Sequence, residues 1–309
     1  MMHVGIISNS TSLIPLACQL VNNKIQVDVF HSKSLDQFTN QRVVDFLTLS
    51  HIPFFEEVKA NEDIYNWLSC HQFDACFIIG YGHLLDINKI GKMLPVTFNV
   101  HFGILPSYRG PTPIFWQLKH GVENIGMCIH LLSNKFDDGP IVWKKEVKNE
   151  DHFNCEIVDQ YLSNVCVEGV FFILNLMANR QDIIGDKGDM TKMAYYHKPT
   201  LNDILIDWNK MGAKEICNLV RACNPWNRGA ITCFKHQEMK LLDAVIDDSG
   251  LNDNRIVAPG EIIENKRELI IHTCDNHHLK INMFFYGECY IPAYYCHYYG
   301  LEKGAKIGI

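Results

Sequence analysis

Between residues 3 and 102, short apolar runs alternate with segments of helical spacing, and no other feature constrains the fold as much. HVGIIS (3–8), KIQVDVFHS (24–32) and FDACFIIGYG (73–82) read as strands, with IPFFEEV as a shorter extended piece. Residues 12–23, 37–50 and 64–71 carry apolar side chains at helical spacing between them. Strands joined by helices re-enter a sheet in the same direction, so the expected class is α/β, a mostly parallel sheet with helices on both faces. Ligands of such sheets bind beyond the carboxyl ends of the strands.

The segment VTFNVHF (96–102) is unusual within this pattern. Side chains alternate across a strand, so Val96, Phe98, Val100 and Phe102 share one face while Thr97, Asn99 and His101 share the other. An amide and an imidazole on a packing face either satisfy each other or point into a site. Further on, GMCIHLLSNKFDDGPIV (126–142) reads as the next strand, followed by a turn that offers Asp137 and Asp138, with Gly139 supplying an unusual backbone angle. Asn, His and Asp at adjacent strand ends suit acyl transfer: the amide donates to an oxyanion, the imidazole handles a proton near neutrality, and the carboxylate orients it. The same residues also fit a polar turn beside a hydrogen-bonded core histidine.

Several classes are disfavoured. The first strand–helix turn, SNSTS (8–12), lacks the glycine pattern of a dinucleotide site or a P-loop. The twelve cysteines form no C-x-x-C pair and no zinc spacing, so they read as small buried hydrophobes of a reducing compartment, and no metal is expected. No apolar run approaches the roughly eighteen residues of a membrane span. MMHVGIISNSTS enters a strand directly, so no signal peptide and a cytoplasmic location are expected. With 28 Lys and Arg against 35 Asp and Glu, the formal charge of −7 shows no basic footprint for a nucleic-acid backbone.

The second half is organised differently. Residues 157–179 form a long amphipathic helical pattern, and QDIIGDKGD (181–189) opens a linker expected over 181–203. After a short helix in AKEICNLVRACNPW (213–226), the patterns GAITCF, MKLLDAVI, PGEIIE, ELIIHT and LKINMFF are short strands broken by turns, which suggests a small barrel. The expected domains are therefore 1–180 and 204–309. The tyrosine-rich YGECYIPAYYCHYYGLEKG (286–304) is a candidate stacking surface for a base or a carbohydrate.

From Asn99 to Gly139 the chain resembles the signature block of the 10-formyltetrahydrofolate-dependent formyltransferases. The matching elements are Asn99, His101, Leu105-Pro106-Ser107-Tyr108-Arg109-Gly110, Pro113, Gly121, Gly126 and Asp137-Asp138-Gly139. NLVRACNPWNRGA (218–230) and APGEII (258–263) are similar to the C-terminal domain of the methionyl-tRNA formyltransferases. The resemblance implies a Rossmann-like catalytic domain with an OB-like C-terminal β-barrel. It implies that Asn99 holds the formyl oxygen, His101 transfers a proton and Asp137, chosen over a solvated Asp138 by the Asp-x-Gly spacing, positions and charges His101. It places the folate against Tyr81, His83, Leu84 and Leu85 with backbone around Lys135 and Phe136, although both leucines also fit a core. Tyr108 and Arg109 would meet the substrate, with Arg109 equally suited to tying its loop. The family usually has serine two residues after the histidine, where this chain has Gly103.

The resemblance leaves the amine acceptor open. Methionyl-tRNA formyltransferases carry a basic insertion after the second strand. Here the corresponding HSKSLDQFTNQRVV (31–44) holds only Lys33 and Arg42 as basic residues. The expected acceptor is thus a nucleotide-linked amino sugar or another small or carrier-bound amine. Methionyl-tRNA is the alternative, disfavoured by charge. A formyltetrahydrofolate hydrolase or an inactive sugar- or nucleotide-binding module is the second alternative. A homodimer is compatible with the sequence.

Overall fold

The computed structural model describes residues 2–90, 96–248, 256–266 and 268–308. It divides into two compact units. The first comprises residues 1–113, 124–147 and 159–197, the second 114–123, 148–158 and 198–309.

The first unit is built on a seven-stranded sheet. Its elements in chain order are β1 (His3–Ser8), α1 (Ile14–Asn22), β2 (Gln26–His31), α2 (Gln37–Leu49), β3 (Phe54–Glu56), α3 (Asp63–Cys70), β4 (Ala75–Ile79), α4 (Ile87–Ile90) and β5 (Val96–His101). Then come β6 (Asn124–Leu131), β7 (Ile141–Lys148) and α6 (Cys155–Ala178), whose first residues up to Val158 belong to the second unit, as do all residues of α5 (Pro113–Lys119) after Pro113. The strand order is β3-β2-β1-β4-β5-β6-β7. The first five strands are parallel, as the alternation of strand and helix predicts. β1 and β4 are buried along nearly their whole length, which is why they read as continuous apolar runs. Helix α3 turns Ile64, Trp67 and Leu68 onto the sheet, where they meet Ile7, Phe30, Phe73, Cys76, Ile78 and Leu85. Burying each large side chain there contributes about 1.5–3 kcal/mol.

The sheet is mostly but not wholly parallel. β6 runs antiparallel to β5, with Asn99 paired to His130 and Phe98 to Leu131. The chain thus leaves β6 opposite the middle of β5, and the following turn must fold back to bring Asp137 to His101. The site lies over the β4–β5–β6 face rather than only beyond parallel strand ends.

Helix α6 is long and apolar enough to cross a membrane by length and composition. Its fully buried Val158, Leu162, Cys166, Val170 and Ile173 follow helical spacing, however, and a Cβ at Gly169 would lie 2.7 Å from Ile129 of β6 and 2.5 Å from Trp143 of β7. Those contacts identify one buried face of a helix packed on a sheet.

The segment expected as a linker is held to the first unit over much of its length. Asp186 exchanges backbone hydrogen bonds with Ile141, and Arg109 and Tyr195 form a bridge with bonds on to Ala194 and Tyr196. Residues 190–192 form a short 3-10 turn capped by Asp189.

The second unit contains α7 (Leu201–Ile204), α8 (Ala213–Ala222), β8 (Ala230–Phe234), β9 (Gln237–Ile246), β10 (Ile262–Glu264), β11 (Leu269–His272), β12 (His278–Tyr286) and β13 (Cys289–Pro292). The strands form one antiparallel sheet, β10-β11-β12-β9-β8, with β13 added on β12. β12 shifts register against β9 between Ile281 and Phe284, and such irregularities curl a sheet. The C-terminal tail links the sheet's ends, because Ile307 donates to Gly260 beside β10 and Gly308 donates to Cys233 of β8. The result is a small curled barrel, as the spacing of short strands predicts.

Candidate active site

Asn99, His101 and Asp137 converge in the first unit. On β5 the side chain of Phe98 stacks on Phe77, ring centroids 5.2 Å apart, which turns the alternate residues Asn99 and His101 to the opposite face. Asp137 arrives from the β6–β7 turn in the left-handed backbone region, φ 51°. Gly139, from which the sequence predicts the unusual angle, does not need it. What Gly139 supplies is space: a Cβ there would lie 1.7 Å from the Leu131 carbonyl oxygen and 2.9 Å from His130 Nδ1.

The polar contacts form a connected set. Asp137 Oδ1 lies 3.3 Å from His101 Nδ1 and 3.4 Å from Asn99 Nδ2, while Asp137 Oδ2 accepts from the Gly110 N–H at 2.9 Å. On its other edge His101 places Nε2 2.5 Å from the Tyr108 carbonyl oxygen, so that nitrogen carries the proton and donates. A neutral imidazole satisfies only one of these two acceptors, and a protonated one satisfies both. Burial pushes the His101 imidazole down from its ordinary range, against the opposing pull of the Asp137 charge and the Tyr108 carbonyl. Burial alone would raise Asp137, but the attraction between it and the His101 imidazole and the hydrogen bond from the Gly110 N–H hold its carboxyl below the usual range. The resting pair is therefore a carboxylate beside a neutral ring. Its surroundings already hold a second acceptor for the proton that would charge the ring.

Gly103 explains how Tyr108 comes so close. A Cβ at this position would lie 2.6 Å from Pro113 Cβ, 2.7 Å from His101 Nε2 and 2.8 Å from the Tyr108 carbonyl oxygen. Tyr108 itself stacks on Tyr196, centroids 5.4 Å apart, and burial raises its phenol to about 12.

Asn99 and Asp137 open onto a cleft whose walls include Tyr81, His83, Leu84, Leu85, Lys135 and Phe136, together with His130 and Leu132. His101 lies behind Asp137, 5% exposed. Leu84 is 40% exposed and Leu85 only 1%, so the two adjacent leucines differ: one presents its side chain to the cleft and the other belongs chiefly to the α3 core. Tyr81 donates to the buried Glu57 at 2.9 Å, and burial together with that carboxylate raises its phenol. Arg109 does not meet the first cleft. It lines a second one of about 460 Å³ with Leu84, Lys135, Phe136, Met193 and Tyr195. Its guanidinium pairs with Asp138 at 3.0 Å, so Asp138 is a loop anchor rather than the solvated turn residue expected.

The residue that sequence reasoning missed is His130. It is 2% exposed, accepts from Asn99 Nδ2 at 3.0 Å and lies 3.7 Å from Asp137 Oδ1. Its signal was present in MCIHLL, but β6 is buried on both faces over most of its length, so alternation does not mark one residue as facing a site.

The chain matches the family Formyl transferase over residues 3–161, half its length, and the family Formyl transferase, C-terminal domain over residues 199–284. It is 32% identical to a methionyl-tRNA formyltransferase of Thermodesulfovibrio yellowstonii over 200 residues, covering 65% of this chain and 62% of that relative's length. Its fold is similar to that of HypX from Aquifex aeolicus in complex with tetrahydrofolic acid, with a TM-score of 0.67 at 17% identity, over 99% of this chain and 48% of HypX. An N-formyltransferase from Helicobacter canadensis, solved with folinic acid and dTDP-3-aminofucose, gives a TM-score of 0.68 at 14% identity, over 91% of this chain and 99% of that one.

Proposed function

We propose that this chain, which belongs to the formyl transferase family, moves a formyl group from 10-formyltetrahydrofolate to a primary amine. The observation that carries the reading is the side-by-side placement of the Asn99 amide and the Asp137 carboxylate on one cleft wall, with His101 buried behind them. The amine attacks the formyl carbon, and the carbonyl electrons move onto oxygen, where an Asn99 N–H receives them. The attacking nitrogen loses its proton to the Asp137–His101 pair, whose second ring N–H then finds an acceptor. Breaking the bond between carbon and the folate nitrogen returns that proton to the nitrogen, so tetrahydrofolate and a formamide leave. The pterin ring takes the cleft beside Tyr81, His83, Leu84 and Leu85, closed by Lys135 and Phe136. The second cleft, with Arg109 on its wall, receives the acceptor, whereas Tyr108, expected to meet the substrate, lines neither cleft and stacks on Tyr196.

The acceptor we favour is a nucleotide-linked amino sugar, and the protein is a cytoplasmic enzyme. The loop between β2 and α2 spans only residues 32–36 and carries one cation, Lys33, which lies 3.6 Å from Glu56, while the other basic residue of the region, Arg42, sits on α2 over Phe38 at 5.8 Å. Little cationic surface is left there for an acceptor stem. Methionyl-tRNA is the second reading, favoured by the sequence similarity to a methionyl-tRNA formyltransferase. Tetrahydrofolate release measured with a panel of amino-sugar nucleotides and with charged initiator tRNA separates them. Turnover with tRNA alone contradicts the charge argument.

A further inference from the structure

The contacts of His130 reach beyond packing. Its Nδ1 lies 2.8 Å from the Leu131 carbonyl oxygen, which can only accept, so that nitrogen carries the proton. The other nitrogen, Nε2, then holds a lone pair, and it faces Asn99 Nδ2 at 3.0 Å. This settles which way the Asn99 amide is turned, since an amide oxygen against a lone pair would be repelled. One Asn99 N–H is thereby committed to His130. The other points toward Asp137 Oδ1 at 3.4 Å, a long contact that a better acceptor displaces at small cost. That second N–H borders the cleft, where the formyl oxygen arrives.

We propose that His130 is a positioning residue, acting through Asn99: it fixes the amide rotamer so that the N–H now at long range from Asp137 is aimed at the developing oxyanion. Gly139 is part of the device, because only a residue without Cβ lets the Leu131 carbonyl and the His130 ring meet at this point. The antiparallel register supplies the rest, since it pairs Asn99 with His130 directly. The inference rests on the formyl-transfer reading.

The test compares His130→Gln with His130→Leu. Gln is of similar reach and keeps an acceptor for Asn99, whereas Leu fills the space without one. His130→Leu should lower kcat by roughly 10–100-fold with KM for the folate donor nearly unchanged, as for a group that acts in the transition state. His130→Gln should recover most of that loss. Residues acting through one another do not add, so Asn99→Ala combined with His130→Leu should be no slower than Asn99→Ala alone. Thermal melting checks that each variant is folded, and the Gln variant carries the test if Leu disrupts the strand: a folded His130→Gln enzyme as slow as Asn99→Ala refutes the role. Wild-type turnover that His130→Leu leaves intact, or a double variant slower by the product of the two losses, overturns the inference alone. No tetrahydrofolate release by the wild type with any amine overturns the functional reading and the inference with it.

Discussion

Replacing Gly103 with serine, the residue the family usually carries, should damage this enzyme. The new Cβ would meet Pro113 Cβ, His101 Nε2 and the Tyr108 carbonyl oxygen at 2.6, 2.7 and 2.8 Å, and one of the three is backbone. Ordinary contact begins near 3.4 Å, so the 103–110 loop must retreat by several tenths of an ångström. The His101–Tyr108 hydrogen bond, now 2.5 Å, is the contact that retreat stretches first. Leaving one buried polar group unpaired costs about 1–3 kcal/mol, and forcing extra atoms into a packed site costs about as much again. At roughly 2–4 °C per kcal/mol for a unit of this size, Gly103→Ser should melt about 4–24 °C lower. The proton should also be less well held in turnover, so kcat should fall while donor binding, which does not use this bond, is retained. Scanning calorimetry and steady-state kinetics on the purified variant check both. A variant with unchanged melting temperature and unchanged kcat would refute the claim that Gly103 exists to seat Tyr108 on His101.

Asn99→Ala should reduce kcat by about 10²–10³, the typical loss for one oxyanion donor, with the circular dichroism spectrum unchanged. Leu85→Ala should destabilise the first unit by about 2–5 kcal/mol, whereas Leu84→Ala should leave stability nearly intact and weaken donor binding, measured by folate fluorescence quenching. The His101 pKa is depressed from 6.5 by burial, so the unfolded chain binds that proton more readily and stability falls as pH drops below about 6.5. His101→Gln should flatten part of that slope in denaturant titrations, the remainder coming from His31, His120 and His272, which burial shifts the same way. Asp137, held below 3.8, contributes stability that is present above that value and lost as pH falls through its folded pKa, so Asp137→Asn should be less sensitive to acid in that lower window.

Much of this architecture is legible in the chain because its signals are local. The apolar runs of β1 and β4, the helical spacing of α2 and α3, and the Asn99–His101 face each follow from neighbouring residues. Strand direction is not local, and MCIHLL reads the same in either orientation, so the antiparallel course of β6 and the pairing of Asn99 with His130 stayed hidden. The polar 181–203 segment reads as a linker because it lacks periodicity, yet its backbone is bonded to the Pro106–Arg109 loop and to Ile141. Backbone partners leave no pattern in side chains. Gly139 shows the same limit: a glycine announces either a special angle or a close approach, and only the position of the Leu131 carbonyl decides between them.

The central claim is group transfer to nitrogen at the Asn99–Asp137 wall. Its most direct test supplies 10-formyltetrahydrofolate with an isotope-labelled formyl carbon to the wild type and to Asn99→Ala, together with the amine panel, and follows the label by NMR. The account predicts label in a formamide product with the wild type and its near loss in the variant. Label appearing only as free formate, or equal transfer by both proteins, would contradict it.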